Sequence, residues 1–79
     1  MDFKEIGQKI ALLRKEQGIS QLQLASDLHL SRATVSSLEN GNGVDIGLKK
    51  VLAILDYLGY EIILKEKSRF SSFEELLSE

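Results

Sequence analysis

The chain has 79 residues, ten basic and twelve acidic, with one histidine and no cysteine, and its formal net charge is −2. A chain of this length allows one small domain, which buries only roughly 60% of its unfolded surface and is marginal alone. No disulfide or thiolate metal site can add to its stability. Hydrophobic content of 43% and charge of 28% exclude a disordered chain. No apolar run approaches the roughly 18 residues of a membrane span, and no signal-peptide pattern opens the sequence. The chain therefore reads as soluble and cytoplasmic. Its charge balance does not by itself argue for nucleic acid. The distribution is more informative: residues 1–44 carry five basic and five acidic groups, and residues 45–79 carry five basic and seven acidic.

The first helix is expected over about residues 2–17. Asp2 can cap it, with Glu5 at the third helical position. Phe3, Ile6, Ile10 and Leu13 recur at three- and four-residue spacing, and Ala11 and Leu12 widen this apolar stripe. Arg14 and Lys15 fall in the last turn, where they complement the helix dipole or reach a phosphate. Gly18 then ends the helix, in the left-handed conformation of a C-terminal cap.

Next comes QLQLASDLHLSRATVSSL, Gln21 to Leu38, which reads as two short helices (about 21–28 and 32–40) around a sharp turn. Ser20 can cap the first, with Gln23 completing a capping-box pattern, and Ser31 the second. Leu22, Leu24, Ala25, Leu28, Leu30, Val35 and Leu38 form the apolar set. Ala25 is small where the second helix must cross closely. With Val35 and Leu38 inward, Arg32, Ala33, Ser36 and Ser37 point out, a small and polar surface able to enter a DNA major groove.

These residues, together with Ile10, Leu13, Arg14, Gly18, SRATVSSLENG at Ser31–Gly41 and the apolar helix ending at Leu58-Gly59, resemble the Cro/lambda-repressor-like helix-turn-helix family. The resemblance runs from Ile6 to Leu64. It implies a mainly α, four-helix lambda-repressor-like DNA-binding domain. Within that family the chain looks most like the HipB-type antitoxins, which repress their own operons and bind a HipA-type kinase toxin. The family usually has glycine eight residues after Gln21, where the backbone turns with positive φ; this chain has His29, a residue type that tolerates that region better than most. A structural role in the turn is expected for this lone histidine, ahead of a pH switch or a ligand role.

Gly41, Asn42 and Gly43 make a flexible loop, too short and without the lysine of a phosphate-cradling P-loop. Asp45 can cap a fourth helix over about 46–58, with Leu48, Val51, Leu52, Leu55 and Leu58 as its stripe and Ile54 beside it; Gly59 ends it. Tyr60 to Glu66, YEIILKE, then alternates with period two and reads as a C-terminal β-strand. A lone strand leaves its backbone groups unpaired. The economical partner is the same strand of a second copy, forming an intersubunit two-stranded sheet in a homodimer. Tyr60, Ile62, Ile63 and Leu64 are the candidate dimer-interface residues. Residues 1–66 thus form the DNA-binding domain. Residues 67–79 form a serine-rich, flexible or partner-binding tail whose Phe70, Phe73, Leu76 and Leu77 make a sparse apolar stripe.

The resemblance implies the site. Gln21 donates to a phosphate and fixes the docking of the recognition helix. Ser31, Arg32, Ala33 and Ser36 face base edges, with Arg32 the strongest reader, since a guanidinium can make two bonds to guanine. Thr34 and Ser37 lie at the margin, and Asn40 and Asn42 are phosphate donors. The expected function is a nucleoid-associated, autoregulating repressor on inverted-repeat double-stranded DNA, with a HipA-like kinase toxin as possible partner. The rival is a module that sequesters a protein, or a repressor with no toxin. Nothing suggests an enzyme, a metal or a cofactor: no metal-ligand cluster, nucleotide loop or nucleophile elbow occurs in the sequence.

Overall fold

Among the described residues, three of the four helix C-termini are closed by one backbone device. The computed structural model describes residues 2–41 and 46–67. The helices are α1 (Phe3–Glu16), α2 (Gln21–Asp27), α3 (Arg32–Asn40) and α4 (Leu48–Tyr57). After α1, Gly18 N–H bonds to Lys15 and Ile19 N–H to Arg14; after α4, Gly59 bonds to Asp56 and Tyr60 to Leu55. This is the paired bonding of a Schellman cap, which needs a left-handed residue at its centre. Gly18 and Gly59 supply it, with φ of 70° and 87°.

The N-termini follow local chemistry. Asp2, Ser20 and Ser31 cap α1, α2 and α3 by accepting from the N–H of Glu5, Gln23 and Thr34, at 2.8, 3.0 and 3.0 Å. The reciprocal half of the expected capping box at α2 is not made. The Gln23 amide instead donates forward to both Asp27 carboxylate oxygens, a favourable pairing one turn away. The fourth helix starts later than expected: its N-cap is Gly47, with φ of 91°. Ile46 precedes it as a buried core residue rather than its first turn, and Asp45 lies outside the described residues.

The core joins all four helices through Ile10, Leu13, Leu24, Ala25, Val35, Leu38, Ile46, Val51, Ile54 and Leu58. α3 packs on both α1 and α2. Five expected core positions belong outside it. Phe3 and Leu12 of α1, Leu22 of α2, and Leu48 and Leu52 of α4 are exposed, Leu48 by 66%. In α4 the buried face is centred on Val51, Ile54 and Leu58, with Leu52 exposed. Helical spacing fixes which residues share a face but not which face a neighbour covers.

Two contacts set the closeness of packing. Gly7 is buried in the middle of α1, and a Cβ there would lie 1.9 Å from the Leu38 carbonyl oxygen. The α1 and α3 backbones therefore touch. Glycine within a helix is unfavourable by about 1 kcal/mol against alanine, so this residue answers a packing need. The Gln17 amide also donates to the Leu58 carbonyl at 2.7 Å, and the Tyr57 hydroxyl donates to Asp27. Both tie α4 to the rest of the domain.

Residues 60–67 follow α4 as exposed chain with no assigned strand. The expected pairing was between two copies, so one copy leaves it without a partner strand. Asn42 and the tail residues Phe70, Phe73, Leu76 and Leu77 lie outside the described residues. No described helix is long and apolar enough to cross a membrane.

Candidate nucleic-acid interface

The turn between α2 and α3 is the third Schellman cap. Leu30 N–H bonds to Ala25 at 2.8 Å, and His29 N–H to Ser26 at 3.3 Å. His29 holds the left-handed position with φ of 57°, the one non-glycine residue with positive φ among those described. The structural role expected for His29 is thus met by its backbone.

From this turn α3 projects with two distinct faces. Val35, Leu38 and Glu39 are buried. Arg32, Ser36 and Asn40 follow at four-residue intervals, one ridge of a helix. Arg32, Ala33 and Asn40 are exposed, while Ser36 and Ser37 are half-buried. Ser31 is exposed, but its hydroxyl is shared with Thr34 at 2.7 Å as well as capping the helix. The Asn40 amide leans back on the Ser36 hydroxyl at 3.3 Å.

Behind this ridge lies an ion pair. Arg14 of α1 meets Glu39 of α3 through Nε–Oε2 at 2.7 Å and Nη2–Oε1 at 2.9 Å. Its remaining nitrogen, Nη1, donates to the Ile19 carbonyl at 2.6 Å. The guanidinium is buried and fully committed, so the phosphate contact entertained for Arg14 is replaced by an internal role. Glu39 also accepts from the Gln21 amide at 3.0 Å. One carboxylate therefore fixes α1, the start of α2 and the end of α3 together.

The electrostatics follow from those contacts. Burial pushes the Glu39 carboxyl up, but the hydrogen bonds from Arg14 and Gln21, with the charges of Arg14 and Lys15, outweigh it and hold it below the usual carboxylate range. Its hydrogen bond raises the Arg14 guanidinium further against the opposing effect of burial. A shallow concavity of about 460 Å³ borders the pair, and Gln21, Asn40 and Lys15 share its rim with Gln8, Ala11 and Leu12. The structure thus brings Gln21 and Asn40 to one edge. Arg32 and Ala33 stand in the first turn of the same helix that Asn40 ends.

Sequence reading missed Glu39 and the internal role of Arg14. A signal was present. Arg14 lies four residues after Ile10, and Glu39 four after Val35, so each falls on its helix's apolar stripe. Two opposite charges on facing stripes mark a buried pair.

Against known proteins, a helix-turn-helix family model matches residues 10–64. The chain belongs to the helix-turn-helix family. The match takes in the second half of α1 and all of α2, α3 and α4. The chain is also similar to the competence pilus inhibition repressor of Acinetobacter baylyi, 50% identical over 38 residues. That alignment covers 48% of this chain and 34% of the repressor, so the chain spans about a third of that relative. No solved structure matches. Among the described residues of this helix-turn-helix protein, no cluster of His, Cys, Asp or Glu could hold a metal ion.

Proposed function

We propose that this protein is a sequence-specific DNA-binding transcriptional repressor that acts as a homodimer on an inverted-repeat operator. The observation that carries the reading is the two-faced α3, with Arg32 and Ala33 exposed on a helix whose other face is locked by Val35, Leu38 and Glu39. Likeness to a repressor supports it. In this reading α3 enters the major groove. Arg32 reads a guanine edge, Ala33 meets a thymine methyl, and Ser31 and Ser36 make adaptable bonds. Gln21 and Asn40, with Asn42, contact phosphates. Two such helices would engage half-sites about one helical turn apart, on the order of 34 Å.

Two copies pair through Tyr60–Glu66 in an antiparallel ribbon. In support, Ile63 and Leu64 are 79% and 92% exposed in the single chain. The resemblance to HipB-type antitoxins adds a finer role: autoregulation of an operon together with a HipA-like kinase toxin, within the cytoplasm and without catalysis by this chain. The same exposed apolar segment favours a second reading, a module that binds another protein and little DNA.

Fluorescence anisotropy with DNA from upstream of the protein's own gene, at low salt, separates the two. The repressor reading expects tight binding that weakens steeply with salt and exceeds binding to scrambled DNA. Absence of binding would leave only the protein-interaction module. Sedimentation at micromolar concentration tests the ribbon, and a stable monomer would remove it.

A further inference from the structure

An apolar groove of about 430 Å³ runs beside α1, lined by Ile6, Leu13, Leu55, Tyr60, Ile62 and Ile63. Tyr60, Ile62 and Ile63 are exposed, Ile6 and Leu55 are partly buried against the core, and Leu13 belongs to it. Concave apolar surface of this kind marks a docking site more often than it marks scatter. We propose that its occupant is the segment 68–79 of the same chain.

Three observations point to that segment. The first is its side chains. Phe70, Phe73, Leu76 and Leu77 are spaced three, three and one apart, the pattern that puts apolar groups on one side of a helical turn. Two phenyl rings and two leucines match a groove of aliphatic walls and one tyrosine.

The second is reach. Phe70 lies seven residues after Ile63, and extended chain covers about 3.3 Å per residue. That is ample to fold back across the width of a helix, about 10–12 Å.

The third is charge. Residues 1–67 hold nine basic and nine acidic groups, whereas 68–79 hold Arg69 against Glu74, Glu75 and Glu79. Lys9 and Glu61 both line the groove, and Lys65 and Lys67 flank Glu66 on the approach, three positive groups against two negative. The acidic segment thus meets more positive than negative charge on its way in. Tyr60, Ile62 and Ile63, candidate dimer-interface residues in the ribbon between two copies, also line this groove. The docking does not rest on the DNA reading.

The full chain has no cysteine, so Ser78→Cys gives a single attachment point for a nitroxide, fifteen residues beyond Ile63. The readout is the loss of amide signal in the ¹⁵N-labelled, spin-labelled protein. Docking predicts that the amides of Ile6, Lys9, Leu13 and Leu55 lose most of their intensity while those of Ala33 and Ser36 keep theirs. Adding Phe70→Ser and Phe73→Ser should restore the lost signals. Unchanged groove intensities would overturn the proposal. So would broadening that survives the double substitution, which would be tethering alone. Broadening transferred from a spin-labelled chain to a ¹⁵N chain without the label would assign the groove to a second copy instead.

Discussion

Arg14 and Glu39 are twenty-five residues apart in sequence and meet fork to fork, with side chains 8% and 4% exposed. Removing one partner of such a pair strands a buried charge, at a cost of about 3–5 kcal/mol. In a domain this small, Glu39→Ala is expected to lower stability by about 3 kcal/mol, read as a shifted urea midpoint. Arg14→Met combined with Glu39→Leu should recover most of that loss, because neither charge is then left unpaired. A double variant as unstable as the single ones would refute this account of the pair.

Acid should loosen the same joint. The folded Glu39 carboxyl sits below its ordinary value, which is about 4.3 in an unfolded chain. A group depressed on folding contributes stability that is present above the unfolded value and lost as pH falls through the folded one. Urea midpoints should therefore drop below about pH 4, and less steeply in Glu39→Gln. Asp27, lowered by hydrogen bonds from Tyr57 and Gln23, adds a slope of the same sign that this substitution leaves in place.

Gly7→Ala tests the contact between α1 and α3. Helix propensity alone favours alanine by about 1 kcal/mol. The new methyl would meet a backbone carbonyl oxygen at 1.9 Å, so one helix must move. Overpacking costs about 1–3 kcal/mol, and the net expectation is a lower melting temperature by circular dichroism. An unchanged or raised value would contradict the close approach.

His29→Gly should act in the opposite direction. Its φ of 57° strains any residue with a Cβ, by about 1–2 kcal/mol in the left-handed region. Glycine removes the strain but adds backbone freedom to the unfolded chain, so a gain of about 0.5–1 kcal/mol is expected. Chemical denaturation measures it; a loss would mean that the imidazole contributes contacts of its own.

Arg32→Ala addresses the proposed reading of DNA. A base contact predicts a penalty of about 1–3 kcal/mol confined to one operator position. Titrations against a panel of single-base operator variants would show it. Equal weakening on every sequence would make Arg32 a phosphate anchor.

What could be read from the sequence was whatever depends on near neighbours. Asp2, Ser20 and Ser31 announce helix starts because a cap bonds three residues ahead. Gly18, Gly59 and His29 mark left-handed stops for the same local reason. The Arg14–Glu39 pair and the packing role of Gly7 were not read, since both depend on how α1 lies against α3. Leu22 and Leu48 were misplaced because an apolar residue beside the stripe looks like one within it. Among candidate site residues, the exposure of Arg32 and Ala33 follows from the position of Val35. The bond between Gln21 and Glu39 depends on a tertiary crossing.

In the proposed reading, α3 keeps contact with DNA and attachment to the fold on separate side chains. Among the described residues, the Arg32 and Ala33 side chains take part in no hydrogen bond or ion pair, while Val35, Leu38 and Glu39 hold the helix in place. The outward pair can therefore be rewritten without disturbing what anchors the helix. A library randomised at those two positions would be expected to keep its melting temperature while drifting in the DNA it selects, which makes this small domain a retargetable scaffold.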